Sequence, residues 1–163
     1  MKGKRRKKIQ LRLSSGTGNA RYDKSGEDER TAGEPRPRIP DGEYTAICHQ
    51  TRIAKSFGGR REMYVLFRVY GGPFDGAELP MFCTFPPGKL SRSTKLYRQY
   101  SIAMGGTPLK GERVSGKAFR GKMYRIIVGT SKAKHDDGTL LPDFLQYSVV
   151  RGIKEVMTGV PEQ

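Results

Sequence analysis

The chain has 163 residues, of which 31 are Lys or Arg and 16 are Asp or Glu, so its net charge is +15. This length suffices for one domain with a hydrophobic core. No apolar run approaches the roughly 20 residues of a membrane-spanning helix, and none follows the basic start as a signal peptide would. Two cysteines are too few for a disulfide framework, so reduced, buried thiols are predicted in an intracellular protein.

Positive charge is concentrated in two segments. Residues 1–40 hold 12 Lys or Arg against 5 Asp or Glu, and residues 89–125 hold 10 against the single acid Glu112. The rest of the chain is close to neutral. A segment with charges of one sign, in a chain whose other charges balance, is typical of a surface that binds a polyanion. Nucleic acid is the leading candidate. A membrane partner is disfavoured, because the chain offers no basic helix with a bulky apolar face.

Residues 1–38 are predicted to form a disordered basic tail. They combine the basic start with a stretch rich in Gly, Ser, Pro and Glu, which cannot bury a core. Whether this tail binds phosphate or only aids solubility is left open. Residues 39–163 are predicted to form the single folded domain.

Three strands are predicted first in this domain. The first strand is predicted at 43–53, after the turn Asp41-Gly42. The second, at 63–70, is the strongest, because its β-branched and aromatic residues alternate with a period of two. Met63, Val65, Phe67 and Val69 are assigned to one face of it, and Tyr64, Leu66, Arg68 and Tyr70 to the other. The third strand is predicted at 77–85, where Pro80 indicates an edge strand or a bulge.

A helix and two further strands complete the prediction. The helix begins at a cap on Ser91 or Ser93, ends before Gly105-Gly106, and buries a stripe of Leu96, Tyr100, Ala103 and Met104. The last two strands are predicted at 122–130 and 144–156. Three strands, a helix and two strands are the element order of the OB fold, a five-stranded barrel with one helix between strands 3 and 4. A coincidental α+β sheet with the same element order is left open as the alternative.

The predicted fold places aromatic rings and cations where a single strand of nucleic acid would need them. Stacking on bases is assigned to Phe57, Tyr64, Tyr70 and Phe82, with Phe85 as the alternative to Phe82 in the other register. Arg68 lies in the middle of the second strand, on the face of Tyr64. Because an unpaired buried guanidinium is costly, this face is predicted to be open to solvent unless Glu43 or Glu62 pairs with the arginine. Contacts with phosphates are assigned to Arg52, Lys55, Arg60, Arg61, Lys132 and Lys134, and Lys89, Arg92, Lys95 and Arg98 extend this track. Each ring has core packing as its alternative role.

No catalytic or cofactor site is predicted. Cys48, His49, Cys83 and His135 do not have the spacing of a zinc site. The lysine of Pro87-Gly88-Lys89 lacks both the upstream glycine and the following Ser or Thr of a phosphate-binding loop. Asp136 and Asp137 are assigned to a turn. The sequence therefore predicts a protein that is not an enzyme and that uses no metal or cofactor.

From Pro40 onward the sequence resembles a group of small phage and mobile-element proteins. The marks are Gly42-Glu43-Tyr44, the segment Val65-Leu66-Phe67-Arg68-Val69, Gly72-Pro73-Phe74-Asp75-Gly76, Ser93-Thr94-Lys95-Leu96 and Gly121-Lys122. The resemblance implies an OB-fold protein that binds single-stranded DNA in replication or recombination, in the cytoplasm or nucleoid of a bacterial host. The chain lacks tryptophan and the acidic C-terminal tail of cellular single-stranded-DNA-binding proteins, so recruitment of partners through that tail is not expected.

The predicted function is thus single-stranded DNA binding without catalysis. Binding of RNA is the first alternative, because stacking and phosphate contacts do not distinguish the sugars. The second alternative is a factor that binds a host nucleoprotein. A protein partner in replication or recombination and association between copies of this chain are left open.

Overall fold

The structure is a computed structural model, and it describes residues 32–56, 58–131 and 134–159. The chain divides into two compact units, Met1–Pro35 and Arg36–Gln163, and the helices and strands of the described residues lie in the second unit. Phe57 and Lys132, both predicted to contact nucleic acid, lie outside the described residues, as does most of the predicted tail. No helix within the described ranges is long and apolar enough to cross a membrane.

The described part of the second unit contains five antiparallel strands and one α-helix, in the predicted order. The elements are β1 at Gly42–Lys55, β2 at Arg61–Val69, β3 at Glu78–Thr84, α1 at Lys95–Met104, β4 at Met123–Thr130 and β5 at Ser148–Val156. The fold is therefore mainly β, as predicted.

The strands form one sheet in the order β3-β2-β1-β4-β5. The first half of β1 pairs with β4 and its second half pairs with β2, so β1 joins the two halves of the sheet. Pro80 lies on β3, which is at one end of this order, and this agrees with the prediction of an edge strand. Residues of β3 and β5 approach within 8 Å between Cα atoms, but the hydrogen-bonded ladders leave the sheet open there. The predicted barrel thus stays a prediction.

The alternation predicted for β2 is confirmed. Met63, Val65, Phe67 and Val69 are all buried, whereas the residues between them are half-buried or exposed. The buried side chains join one core with Ala46 and Cys48 of β1, Leu79, Met81 and Cys83 of β3, and residues of β4 and β5. One face of β2 therefore belongs to the core, and the other, which we call the outer face, is available to solvent or to a ligand.

Helix α1 covers the core side of the sheet. Its residues Leu96, Tyr100 and Ala103 are buried in the same core as β2, as predicted. Its N-cap is Thr94, whose side-chain oxygen accepts a hydrogen bond from the backbone N–H of Tyr97, so the predicted caps Ser91 and Ser93 were placed slightly too early. Gly105 closes the helix in the left-handed conformation with φ 74°. Met104, the last helical residue, is 48% exposed, so its predicted place on the buried stripe is wrong.

The fifth strand begins later than predicted. Residues 143–145 form a short 3-10 turn, and β5 starts only at Ser148. Phe144 is 84% exposed on that turn, in the loop between β4 and β5. The segment from Phe144 to Val150 has the aromatic and β-branched residues of a strand, but Pro142 and Asp143 begin a turn at its start.

The second unit begins with contacts to β5. The guanidinium of Arg36 lies 4.4 Å from the ring centroid of Tyr147, and the carbonyl of Pro37 accepts a hydrogen bond from the N–H of Ser148 at 3.0 Å. Ile39 is buried, and its N–H donates to the hydroxyl of Ser148 at 2.8 Å. Residues 36–38, which were predicted to belong to the tail, therefore contact the folded unit.

Candidate nucleic-acid interface

One row of side chains crosses three strands on the outer face. Arg52 of β1 pairs with Tyr64 of β2, and Tyr64 pairs with Phe82 of β3, so all three side chains lie on one face. The rings of Tyr64 and Phe82 meet edge to face, with centroids 5.0 Å apart and an interplanar angle of 82°. The guanidinium of Arg52 stands 5.1 Å from the centre of the Tyr64 ring. We call these three residues the outer-face cluster.

A β-bulge at His49 brings Arg52 into this cluster. Before the bulge, Cys48 pairs with Phe67 and both are buried, so the even-numbered residues of β1 face the core. The pairing then shifts by one residue, and Gln50 pairs with Leu66 on the outer face. A bulge inserts one extra residue and so exchanges the two faces of the strand beyond it. Without it, Arg52 would point to the core side.

The rings of the cluster are half-buried, and the cation is exposed. Tyr64 and Phe82 each bury part of their surface against the other, and Arg52 is exposed. A long exposed arginine side chain can move aside or stack on a base itself, since guanidinium planes stack on bases as aromatic rings do. The geometry therefore offers two aromatic rings and one exposed cation within a few ångströms of each other.

Arg68 lies on the same face but already has a partner. Its guanidinium donates to a carboxylate oxygen of Glu78 at 2.7 Å, and Nε2 of His49 lies 3.5 Å from the same oxygen. The hydrogen bond from Arg68 lowers the pKa of Glu78, which keeps this carboxylate charged. The partners considered from the sequence, Glu43 and Glu62, were wrong: Glu43 instead pairs with Lys154 at 2.7 Å.

The β1–β2 hairpin carries further cations beyond the cluster. Lys55 and Arg61 pair across the two strands, Arg60 lies in the turn, and all three are exposed. The turn is closed by a hydrogen bond from the N–H of Ser56 to the carbonyl of Arg60 at 2.6 Å. Positive charge therefore accumulates at the tip of this hairpin, where Phe57 also belongs in sequence.

The remaining predicted residues are spread over other parts of the unit. Tyr70 directly follows β2, is half-buried, and its N–H donates to the carbonyl of Thr45 at 2.8 Å. Lys134 is exposed in the loop between β4 and β5, where it forms a single bridge with Leu140. Lys89 and Arg92 are exposed in the connection between β3 and α1, and Arg98 is exposed on α1.

Lys95 differs from the cations around it. It is half-buried at the start of α1, and burial lowers its pKa, with the neighbouring thiol of Cys83 opposing this shift. Because α1 packs on the core side of the sheet, Lys95 and Arg98 do not share the face of Tyr64 and Phe82. The structure therefore separates Lys95 and Arg98 from the outer-face cluster.

Most cations of the described chain have no acidic partner within it. Among the Lys and Arg side chains in the described ranges, only Arg68 and Lys154 lie within 4.0 Å of a described carboxylate oxygen. Surface charges of a protein with no anionic ligand are usually balanced by nearby charges of the opposite sign. The unbalanced cations thus favour an anionic partner.

Phe144 and Phe85 are surface rings that were not among the predicted binding residues. Phe144 was assigned to a strand, and only its place in the turn makes it a surface residue. Phe85 was kept as an alternative to Phe82, and it stacks with Arg61, whose guanidinium is 5.3 Å from the ring centre. The turn residues Pro142 and Asp143 were the sequence signal that could have identified Phe144 as a loop residue.

The residues considered for a metal site are not brought together. Cys48 and Cys83 are free thiols buried in the core, and burial raises the pKa of each to about 11. His135 is exposed in the loop between β4 and β5. Within the described ranges, no three His, Cys, Asp or Glu side chains are grouped closely enough to hold a metal ion.

No model of a protein family matches the chain, and no curated protein matches it. The resemblance to phage and mobile-element proteins therefore remains a prediction.

Proposed function

We propose that this protein binds single-stranded DNA without catalysing a reaction. The observation that supports this best is the outer-face cluster, in which Tyr64 and Phe82 adjoin at 5.0 Å and Arg52 stands over the tyrosine. Aromatic rings stack with bases of any sequence, and nearby cations bind the backbone. Such a surface selects single strands, because the bases of a duplex are stacked on each other and hide their faces.

We further propose that the sheet forms an OB-like barrel. The element order, the pairing of β1 with both β2 and β4, and the approach of β3 to β5 within 8 Å support this reading. In OB folds, oligonucleotides bind across strands 2 and 3 and against the loops between strands 1 and 2 and between strands 4 and 5. The cluster residues Tyr64 and Phe82 are on strands 2 and 3, and Phe144 is on the second of these loops.

The backbone contacts would come from Arg52 and from the cations at the tip of the β1–β2 hairpin. Lys55, Arg60 and Arg61 are exposed and have no carboxylate partner within the described ranges. Arg68 is a weaker candidate than the sequence suggested, since Glu78 already neutralises it. On the resemblance of the sequence, we propose that the protein serves a phage or mobile element in replication or recombination, inside a bacterial host.

Fluorescence anisotropy with labelled oligo-dT, a matched duplex and a matched RNA, each at two salt concentrations, tests this proposal. Preference for oligo-dT over the duplex that persists at higher salt is the expected result. Tighter binding of the RNA would move the proposal to an RNA-binding protein. Equal binding of all three that vanishes with salt would leave only charge and contradict a stacking site. Co-purification of one host protein that survives nuclease and high salt would favour the protein-binding alternative.

A further inference from the structure

A groove lies on the core side of the sheet, beyond the end of β3. Its volume is about 650 Å³, and it is bounded by the connection from β3 to α1, by one side of α1 and by residues 108–114. Apolar side chains line it: Phe85, Leu90, Tyr97, Leu109 and Val114. This volume lies within the range of pockets that hold small organic ligands, about 300–1,000 Å³.

The walls of the groove also carry positive charge. Lys89, Lys110 and Arg113 line it and are exposed, whereas Glu112 is its single acid. The carboxylate of Glu112 is already used, because it accepts hydrogen bonds from the N–H of Leu109 at 2.8 Å and from the hydroxyl of Tyr100 at 3.5 Å. The acid therefore holds the loop in place, and the cations remain for a ligand.

The side chains that line the groove match the base and the phosphate of a nucleotide. Phe85 and Tyr97 offer aromatic rings for a base, and the three cations offer charge for its phosphates. An acidic peptide with apolar side chains would need the same charge, but two aromatic rings in the lining favour the planar base.

The groove also continues from the outer-face cluster. Phe85 follows Phe82 by three residues, so their Cα atoms are at most about 10 Å apart. The N–H of Phe85 donates to the carbonyl of Arg61 at 2.9 Å, and the Arg61 guanidinium covers the Phe85 ring from the hairpin side. A single strand of DNA that extends from Phe82 toward the groove therefore passes Arg61 before it enters the groove.

We propose that this groove binds one nucleotide of the bound single strand, with the base against Phe85 and Tyr97 and the phosphates on Lys89, Lys110 and Arg113. The proposal rests on the proposed single-strand binding and adds a second contact region on the other side of the sheet. An oligonucleotide that reaches both regions then binds more tightly than one that covers the outer-face cluster alone.

The test uses the full chain with ¹³C-labelled methyl groups and two sets of reporters. Leu66 lies on the outer face next to Tyr64, whereas Leu90, Leu109 and Val114 line the groove. Titration with a dT octamer is expected to shift both sets. Lys110→Glu should weaken octamer binding about fivefold, the effect of leaving one phosphate without its cation near 0.1 M salt, and should reduce the groove shifts. Lys117→Glu makes the same change in charge at an exposed residue outside the groove, and it should leave both octamer binding and the groove shifts unchanged.

The outcomes separate this inference from the proposed function. A shift of Leu66 without shifts of the groove methyls would overturn the groove site and leave single-strand binding standing. Shifts of the groove methyls without Leu66 would support the groove and overturn the outer-face site. Equal weakening by Lys110→Glu and Lys117→Glu would overturn a specific phosphate contact. If an acidic peptide of Asp, Leu and Phe shifts the groove methyls and the octamer does not, the groove is a peptide site.

Discussion

Tyr64→Ala removes the ring at the centre of the outer-face cluster. If Tyr64 stacks on a base, the substitution should weaken oligo-dT binding by about 1–3 kcal/mol, which is about 5- to 150-fold in Kd. If Tyr64 only packs against its neighbours on the surface, the substitution should lower the free energy of unfolding and leave oligo-dT binding unchanged. The two roles therefore predict changes in two different measurements.

The loss of stability can be bounded from the contacts of the ring. An edge-to-face pair such as Tyr64 with Phe82 is worth about 0.5–1.5 kcal/mol, and an exposed cation–π contact such as that of Arg52 about 0.5–1 kcal/mol. Their sum, about 1–2.5 kcal/mol, is below the roughly 3–5 kcal/mol expected for a core ring such as Phe67→Ala. The variant should thus remain folded at room temperature, with a Tm lowered by a few degrees to about 10 °C.

The assay is oligo-dT anisotropy at about 20 °C beside thermal unfolding of the same samples. Leu66→Ala is the matched control, because Leu66 is half-buried on the same face of β2 but has no ring. Tyr64→Phe keeps the ring and should bind like the parent. The reasoning is refuted if Tyr64→Ala binds like the parent protein, or if Leu66→Ala weakens binding as much as Tyr64→Ala does.

Three further predictions concern the tail, the thiols and one close contact. Deleting residues 1–35, which removes 10 Lys or Arg and 5 Asp or Glu, should lower the steepness of log K against log salt concentration by about 0.7 for each phosphate that the tail neutralises and leave Tm unchanged. Deleting 1–38 should lower Tm, because Arg36 contacts Tyr147 and Pro37 contacts Ser148, the first residue of β5. Native Cys48 and Cys83, with pKa values raised to about 11, should resist a thiol reagent at pH 8 and react on unfolding; fast native labelling would contradict their burial. Gly116→Ala would put a Cβ 2.5 Å from the Thr51 hydroxyl oxygen and should cost about 1–3 kcal/mol in urea unfolding, whereas Gly106→Ala, with no atom within 4 Å, should cost less; equal losses would contradict this packing.

Local patterns in the sequence predicted the helix and strands well, but they did not predict which side chains pair between strands. The period of two in β2 identified Met63, Val65 and Phe67 as core, because alternation is a property of one strand alone. The partner of Arg68 depends on the register between β2 and β3, which opposes it to Glu78. Register is set by the hydrophobic pattern of both strands and by the geometry of the turn between them, and the eight-residue connection between β2 and β3 is too long for the sequence to fix it.

The candidate surface was predictable in composition but not in arrangement. Tyr64 was assigned to the face of Arg68, and the choice between Phe82 and Phe85 depended on the register of β3, which places Phe82 opposite Tyr64. Arg52 reaches this face only through the bulge at His49, and a single extra residue leaves no sequence signal. Lys95 was assigned to the phosphate contacts, yet its position at the start of α1 buries it partly near Cys83. The groove beyond β3 could not be foreseen, because it forms between segments that are distant in sequence.

The position of a single strand of DNA on the protein is measured directly by photo-crosslinking of the full chain to an oligo-dT that contains 5-iodo-deoxyuridine, followed by peptide mapping. We expect crosslinks on the peptides that hold Tyr64 and Phe82, and loss of the crosslink on the first peptide with Tyr64→Ala. Crosslinks confined to residues 1–35, or spread evenly over the basic residues of the chain, would contradict the outer-face site.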